Sequence, residues 1–234
     1  MSEDGNSEFD RYAGSYTDLH RDSIKASGEE PAYFARYKVR YMARVLGTDR
    51  AARALAVLDF GCGIGNATAH LRAAFPRASL RGVDPSAESI RIASERGGDD
   101  AEFRVSDEQG IPYADRQFDL IQAACVFHHI PPRQRLYWMR ELRRVLAPGG
   151  CLFVFEHNVL NPLTRKAVRD CPFDADAILL PRRELLGLAD GAAFSGIGAR
   201  YIVFFPAALA GLRWLEPWLG RIPFGAQYVV HAAA

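Results

Sequence analysis

Apolar and polar positions alternate along the chain in a way that predicts strands and helices in turn. Short apolar runs predict strands over Leu55–Phe60, Ser79–Val83, Ala101–Val105, Phe118–Val126 and Leu152–Glu156. Helical spacing predicts intervening helices over Asn66–Ala74, Ser86–Glu95 and Arg133–Val145. Two β-rich runs follow later, at Ala199–Phe205 and Gln227–His231. This order predicts a mainly parallel sheet with helices on both faces, and a ligand outside the carboxyl ends of its strands.

Two segments stand outside this alternation. An aromatic-rich leader covers residues 9–46, and apolar spacing predicts that Pro31–Leu46 forms an amphipathic helix that begins at a proline and stops before Gly47. A proline-interrupted segment, 157–181, separates the fifth strand from the late β-rich runs. We expect both segments to belong to a single domain over residues 1–234.

Composition and charge exclude several classes of protein. The 234 residues are 49% apolar and 24% charged, which is ordinary for a globular chain. The formal net charge of +1 argues against a nucleic-acid partner, which would favour a basic stripe. The four cysteines show no C-x-x-C spacing and are expected to be reduced thiols rather than disulfides or zinc ligands.

Nothing in the sequence predicts a membrane or export segment. Met1–Asp10 is acidic and polar, unlike a signal peptide. The longest strongly apolar stretch, Tyr201–Leu212, contains Pro206 and falls short of the about 20 residues that span a bilayer. We therefore expect a cytoplasmic protein with no membrane partner.

The first predicted strand runs into a glycine-rich turn. Gly61, Gly63 and Gly65 follow Asp59 and precede a helix, so backbone N–H groups can approach a nucleotide-like ligand closely. The dinucleotide pattern G-x-G-x-x-G is not met, because Asn66 stands where its third glycine would be. The carboxylate of Asp59 would also repel a pyrophosphate. A ligand that carries positive charge suits this turn better.

The D-x-G-x-G-x-G turn, followed about twenty residues later by Asp84 at the end of the second strand, resembles the class I S-adenosylmethionine-dependent methyltransferases. The resemblance runs from about residue 9 to residue 231 and is most specific between residues 57 and 155. It implies a doubly wound, seven-stranded, mostly parallel α/β sheet with one antiparallel strand near the C-terminus and helices on both faces. It also implies that the leader acts as a lid and that 157–181 lies on the substrate side.

The same resemblance implies S-adenosyl-L-methionine as cofactor and a set of residues that hold it. The expected cofactor-binding residues are Asp59, Gly61, Gly63, Gly65, Asp84, Asp107 and Tyr16. Asp84 would accept both ribose hydroxyls and Asp107 the adenine amino group, because a carboxylate only accepts hydrogen bonds. Two alternatives stay open: Asp84 or Ser86 as a helix N-cap, and Gly65 as a helix-packing residue only.

Histidines at two strand ends are the catalytic candidates. His128 and His129 follow the fourth predicted strand and would point in different directions if that strand persists, with His128 toward substrate. His157 follows Glu156 at the end of the fifth strand. His128 or His157 would act as a general base, since histidine titrates near neutral pH. The alternative is that the histidine pair belongs to the fold. No His-x-Glu-x-His spacing is present, so no metal is expected.

These observations together predict methyl transfer from S-adenosylmethionine to a small-molecule acceptor, at oxygen before nitrogen and nitrogen before carbon. One alternative is a member of the fold that binds the cofactor but catalyses a reaction other than methyl transfer. Another is a dinucleotide-dependent oxidoreductase or simple nucleotide-binding module. The expected partners are a small-molecule substrate and, in one alternative, a second copy of the chain in a homodimer.

Overall fold

A computed structural model describes residues 8–107 and 109–234, so the first seven residues of the acidic start lie outside the described part. The described residues form one sheet, whose strands are β1 (Ala56–Phe60), β2 (Ser79–Asp84), β3 (Ala101–Val105), β4 (Phe118–Ala124), β5 (Leu146–His157), β6 (Ser195–Ile202) and β7 (Gln227–Ala233). The helices are α1 (Tyr16–Ser23), α2 (Pro31–Leu46), α3 (Thr48–Ala51), α4 (Thr68–Ala74), α5 (Ala87–Gly97), α6 (Pro132–Val145), α7 (Pro162–Arg169), α8 (Arg182–Gly191) and α9 (Glu216–Leu219).

The strand order across the sheet is β3-β2-β1-β4-β5-β7-β6. Neighbours among β1 to β5 pair in parallel, whereas β7 is antiparallel to both β5 and β6. The predicted seven-stranded sheet with one antiparallel strand is therefore confirmed. From β1 the chain adds β2 and β3 on one side and then β4 and β5 on the other, so the strand order reverses between β1 and β4. A doubly wound sheet binds ligands at such a reversal.

The core lies in two layers, one on each face of the sheet. On one face, Met139 and Leu142 of α6 and Leu185 of α8 are buried against the strands. On the other face, Met42 of α2 and Leu71 of α4 are equally buried. Helices on both faces are therefore confirmed, and burial of these apolar side chains is the main force that holds the layers together.

Several predicted boundaries are correct and several are wrong. The helix over Pro31–Leu46 and the strand over Ala101–Val105 match the prediction. β4 stops two residues early, at Ala124, because Cys125 has a φ of 61° and cannot continue a strand. β5 begins at Leu146 rather than Leu152, and a register shift lets it pair with β4 on both sides of Pro148, Gly149 and Gly150.

The last strands also differ from the prediction. β6 begins at Ser195, four residues before the predicted start, and ends at Ile202 because the next residue, Val203, has a φ of 60°. Within the described ranges, no helix is both long enough and apolar enough to cross a membrane.

Candidate active site

A cavity of about 970 Å³ opens at the carboxyl ends of the parallel strands, where the strand order reverses. Its walls come from the leader, the glycine turn, the ends of β4 and β5, and residues 167–174. Ligand pockets usually have volumes of about 300–1,000 Å³, so this cavity has room for two small molecules side by side.

The glycine turn forms the floor of the cavity. Gly61 has a φ of 71°, and a Cβ at this position would lie 2.4 Å from a methyl carbon of Val126, so only glycine fits here. Gly63 also lines the cavity, with a φ of 51°. Gly65 is not among the lining residues, and a Cβ there would meet Ala93 of α5 at 3.3 Å. The contact with α5 supports the alternative that Gly65 serves helix packing.

Asp84 lies at the end of β2, buried and facing the cavity. Its carboxylate accepts the backbone N–H of Gly63 at 2.8 Å and that of Ser86 at 3.0 Å. Burial raises the pKa of this carboxyl group. The N-cap of α5 is Ser86, whose hydroxyl accepts the N–H of Ser89 at 3.0 Å. Ser86 therefore fills the capping role that was the alternative for Asp84.

A small recess beside Gly61 is lined by Asp59 and Gln122. Asp59 is buried, which raises the pKa of its carboxyl group to about 7. The Gln122 amide donates to Asp59 at 3.0 Å, and its own carbonyl oxygen is buried with no hydrogen-bond partner among the described residues. The recess therefore presents two buried acceptor groups to a ligand.

Lys38 of α2 enters the same recess, although the sequence predicted only an amphipathic helix here and did not indicate Lys38 as a site residue. Its side chain is buried, and Nζ lies 3.3 Å from the Cys125 thiol. Burial raises the pKa of that thiol, but the charge of Lys38 and the interaction with His157 outweigh it and lower the pKa to about 7. A buried cation beside two acceptor groups is complementary to a zwitterion such as an amino acid, whose carboxylate can pair with the cation and whose ammonium group can donate to the acceptors.

The remaining predicted cofactor residues lie at the rim. Asp107 is exposed at the cavity wall and accepts the N–H of Gln109 at 2.8 Å. Tyr16 of α1 also lines the cavity, and its ring stacks on Phe173 with centroids 4.7 Å apart. Tyr37, also in the leader, is absent from the lining and donates its hydroxyl proton to Glu216 at 2.5 Å.

His128 lies in a turn beyond β4, so the expectation that a continuing strand carries it is wrong. It is only 1% exposed. Its Nδ1 donates to Glu156 at 2.7 Å, and its Nε2 lies 3.5 Å from an oxygen of Asp174. Burial disfavours the imidazolium, but the two carboxylates outweigh it and raise the pKa of His128 to about 10. His128 is therefore a buried cation at neutral pH.

Asp174, from the segment 157–181, joins this cluster without having been predicted. His129 Nε2 lies 3.3 Å from the Asp174 carboxylate. Burial opposes its charge, but hydrogen bonds to both histidines hold the pKa of Asp174 well below its usual range. The spacing of residues in the sequence does not indicate that Asp174 lies near His128, because only the fold brings the two residues together.

His157 completes the cluster at the end of β5. Its ring centroid lies 5.0 Å from that of His128, and it lines the cavity. Ligand atoms of His128, His157 and Asp174 all lie within 4.8 Å of one another. Both ring nitrogens of His128 already face carboxylates, so the cluster is arranged as an ion-pair network, and the absence of a metal stays a prediction.

Comparisons with known proteins find similarity to methyltransferases. A family model described as a methyltransferase domain matches residues 57–150. Trans-aconitate 2-methyltransferase from Variovorax paradoxus is 31% identical over 183 residues, which cover 76% of this chain and 68% of that protein. Demethylmenaquinone methyltransferase from Thermotoga maritima is 36% identical over 110 residues, and the chain spans only 46% of its length.

A solved structure of a SAM-dependent methyltransferase from Thermotoga maritima shares the fold. It superposes with a TM-score of 0.66 at 20% identity and covers 96% of this chain and 97% of its own. At that identity the likeness concerns the fold alone.

Proposed function

Because the chain belongs to the class I S-adenosylmethionine-dependent methyltransferases, we propose that it transfers a methyl group from S-adenosylmethionine to a small-molecule acceptor. Oxygen is the favoured acceptor atom, followed by nitrogen and then carbon. The observation that carries the proposal is two adjoining spaces: a recess lined by buried Asp59, Gln122 and Lys38 at one end, and the cavity with the histidine cluster at the other. Gly61 and Lys38 line both, so the two spaces together can hold a donor and an acceptor next to each other.

The residues at the first end fit the proposed cofactor. The unpartnered carbonyl oxygen of Gln122 and the carboxylate of Asp59 would accept from its ammonium group, and Lys38 would pair with its carboxylate. Asp84 would accept from the ribose hydroxyls and Asp107 from the adenine amine. When bound, the cofactor supplies a methyl group that its sulfonium has already activated.

The residues at the second end would position the acceptor and remove its proton. His128 already carries a proton between two carboxylates, so it is a poor base and serves to hold Asp174 in place. His157 lines the cavity beside it and is the better candidate to accept a proton from a hydroxyl group. Tyr16 and Phe173 would close the cavity and exclude water, so that alignment contributes most of the rate.

Calorimetric titration with S-adenosylmethionine tests the donor site. We expect Asp84→Asn and Lys38→Gln each to weaken binding about ten- to a hundredfold, since a hydrogen bond to a charged group contributes about 1.5–3 kcal/mol. Asp115→Asn, at an exposed carboxylate paired with Arg144, should bind like the wild type. If the folded wild type does not bind, or if Asp84→Asn binds as tightly as the control, the proposal fails.

Transfer of a tritium-labelled methyl group to a metabolite extract tests the base. We expect His157→Gln to lower kcat about 10²–10⁴-fold near neutral pH without changing donor affinity, because general bases contribute about this much. The loss should shrink at high pH, where the acceptor ionises without help. His231→Gln in β7, a half-buried histidine outside the cavity lining, is the matched control. Equal rates for the two variants would exclude His157 as the base.

A further inference from the structure

Exposed apolar side chains concentrate in one part of the molecule. Among the described residues, eight of the twelve exposed large apolar side chains lie in residues 160–163 and 209–224. We call these eight the apolar patch: Leu160, Leu163, Leu209, Leu212, Trp214, Trp218, Ile222 and Phe224. Trp218 and Phe224 are the most exposed, at 70% and 74%. Single exposed apolar residues are normal, but a cluster of this kind marks an interaction site.

Hydrogen bonds hold the two segments of the patch together. Asn161 donates to the carbonyl oxygen of Phe224 at 2.9 Å, and Asn158 donates to that of Pro223 at 3.0 Å. The rings of Trp214 and Trp218 meet edge to face with centroids 5.7 Å apart. The exposed side chains therefore stand on one folded surface and not on unconnected loops.

Basic side chains outnumber acidic ones around the patch. Exposed basic side chains on the same segments are Arg165, Lys166, Arg169 and Arg221. Residues 158–170 contain one acid, the exposed Asp170, which pairs with Lys166 and, at 3.5 Å, with Arg169. The acid in residues 207–224, Glu216, is buried against Tyr37. A surface with Trp, Phe and Leu surrounded by arginine and lysine has the chemistry of a protein that lies in the interface of an anionic bilayer.

The patch also adjoins the cavity. Ala167 and Val168 of α7 line the cavity, whereas Leu163 of the same helix is exposed. Gln227, three residues after Phe224, lines the cavity as well. One wall of the cavity is thus the inner side of the segments that carry the patch.

We propose that the apolar patch docks the protein on the surface of a membrane that contains anionic lipids. A second copy of the chain is a poorer occupant, because basic side chains outnumber acidic ones on these segments and a two-fold interface would bring the excess positive charge of each copy against that of the other. The patch would enter the headgroup region, with Arg165 and Arg221 near lipid phosphates. This proposal departs from the expectation of no membrane partner, which rested on the lack of a spanning or export segment in the sequence; the apolar patch is neither.

Flotation with vesicles tests the proposal, using phosphatidylcholine alone and phosphatidylcholine mixed with phosphatidylglycerol. We expect binding to the mixed vesicles only, and a decline as salt is raised. Arg165→Gln and Arg221→Gln should each weaken binding about fivefold, the factor that corresponds to about 1 kcal/mol per basic residue. Arg53→Gln, an exposed arginine just before β1, is the matched control.

The tryptophans provide a second readout. Trp138 lines the cavity, while Trp214 and Trp218 are exposed, so lipid binding should shift the emission of the exposed pair to the blue and expose it to quenching by brominated lipids. Trp214→Ala with Trp218→Ala should abolish flotation, whereas Val45→Ser, at an exposed position on α2, should not. Circular dichroism melting would show that the variants are folded.

Two outcomes would overturn the proposal. One is a folded wild type that binds neither vesicle. The other is a dimer in sedimentation that the double tryptophan variant dissociates, since the patch would then be covered by a second copy. Neither outcome depends on methyl transfer, so the donor-binding test stands apart from this one.

Discussion

At the residue scale, the geometry of the active site depends on one backbone conformation. Cys125 has a φ of 61°, while its N–H still bonds to Phe155 at 2.8 Å. The chain leaves the sheet there, and His128 turns inward to Glu156 and Asp174. Apolar periodicity predicted a continuing strand, because it describes which side chains are buried and not where a non-glycine residue adopts a left-handed conformation.

The buried His128 makes a prediction about stability and pH. Its pKa is about 10 in the folded protein and near 6.5 when unfolded, so the folded chain holds a proton that the unfolded chain releases. The stabilisation of the folded state by this proton is complete below about pH 6.5 and declines as pH rises toward 10. Relative to a His128→Gln/Glu156→Gln double variant, the free energy of unfolding of the wild type should fall by about 1.4 kcal/mol per pH unit between about pH 7.5 and 9.5.

Urea unfolding at intervals of pH would measure this slope. The comparison with the double variant is needed because Cys125, whose thiol pKa is lowered to about 7, adds stability over part of the same range in both proteins. Replacing both members of the pair avoids leaving the Glu156 carboxylate buried without a partner, and Asp174 keeps its contact with His129. Parallel curves for the two proteins would mean that His128 is neutral in the folded state.

At the scale of elements, the leader and the segment 157–181 meet over the cavity. Tyr16 of α1 stacks on Phe173, and Asp10 accepts the hydroxyl proton of Ser86 at 2.5 Å, which ties the leader to α5. From the sequence we predicted that both segments lie on the ligand side, but we did not predict that they contact each other. The aromatic residues of the two segments do not recur at a common spacing, so only the folded structure shows which rings are in contact.

This contact predicts a loss of donor binding when the stack is removed. Phe173→Ala should weaken binding of S-adenosylhomocysteine about three- to tenfold, because a stacked aromatic pair contributes about 0.5–1.5 kcal/mol. The dissociation rate should rise more than the association rate falls, since the lid holds a ligand that is already bound. Stopped-flow fluorescence would measure both rates.

Trp218→Ala serves as the control for that measurement. Trp218 is an exposed aromatic residue on α9 that contacts Trp214 and lies outside the cavity lining. An unchanged dissociation rate in Phe173→Ala would show that the stack does not retain the ligand.

At the scale of the whole molecule, the fold could be predicted from the sequence, but several residues of the site could not. Alternating periods predicted a mainly parallel sheet with helices on both faces, and the resemblance carried by the turn at Gly61 implied seven strands with one antiparallel. The order in which the strands pair was not predicted. Lys38 and Asp174 were missed, since they reach the site from α2 and from the segment 157–181. The histidines were singled out, but their roles depend on carboxylates that only the fold brings near.

The position of β7 has a consequence for how the chain is made. β7 lies between β5 and β6, and among the described residues β6 pairs with no strand except β7. During synthesis, β6 therefore leaves the ribosome before β7, the strand with which it pairs. Until β7 follows, the edge of β5 that will pair with it stays unpaired. Such an edge can pair with other chains. The nascent protein is thus most prone to aggregate just before residues 227–233 emerge, and Gln227 joins the cavity wall only at that moment.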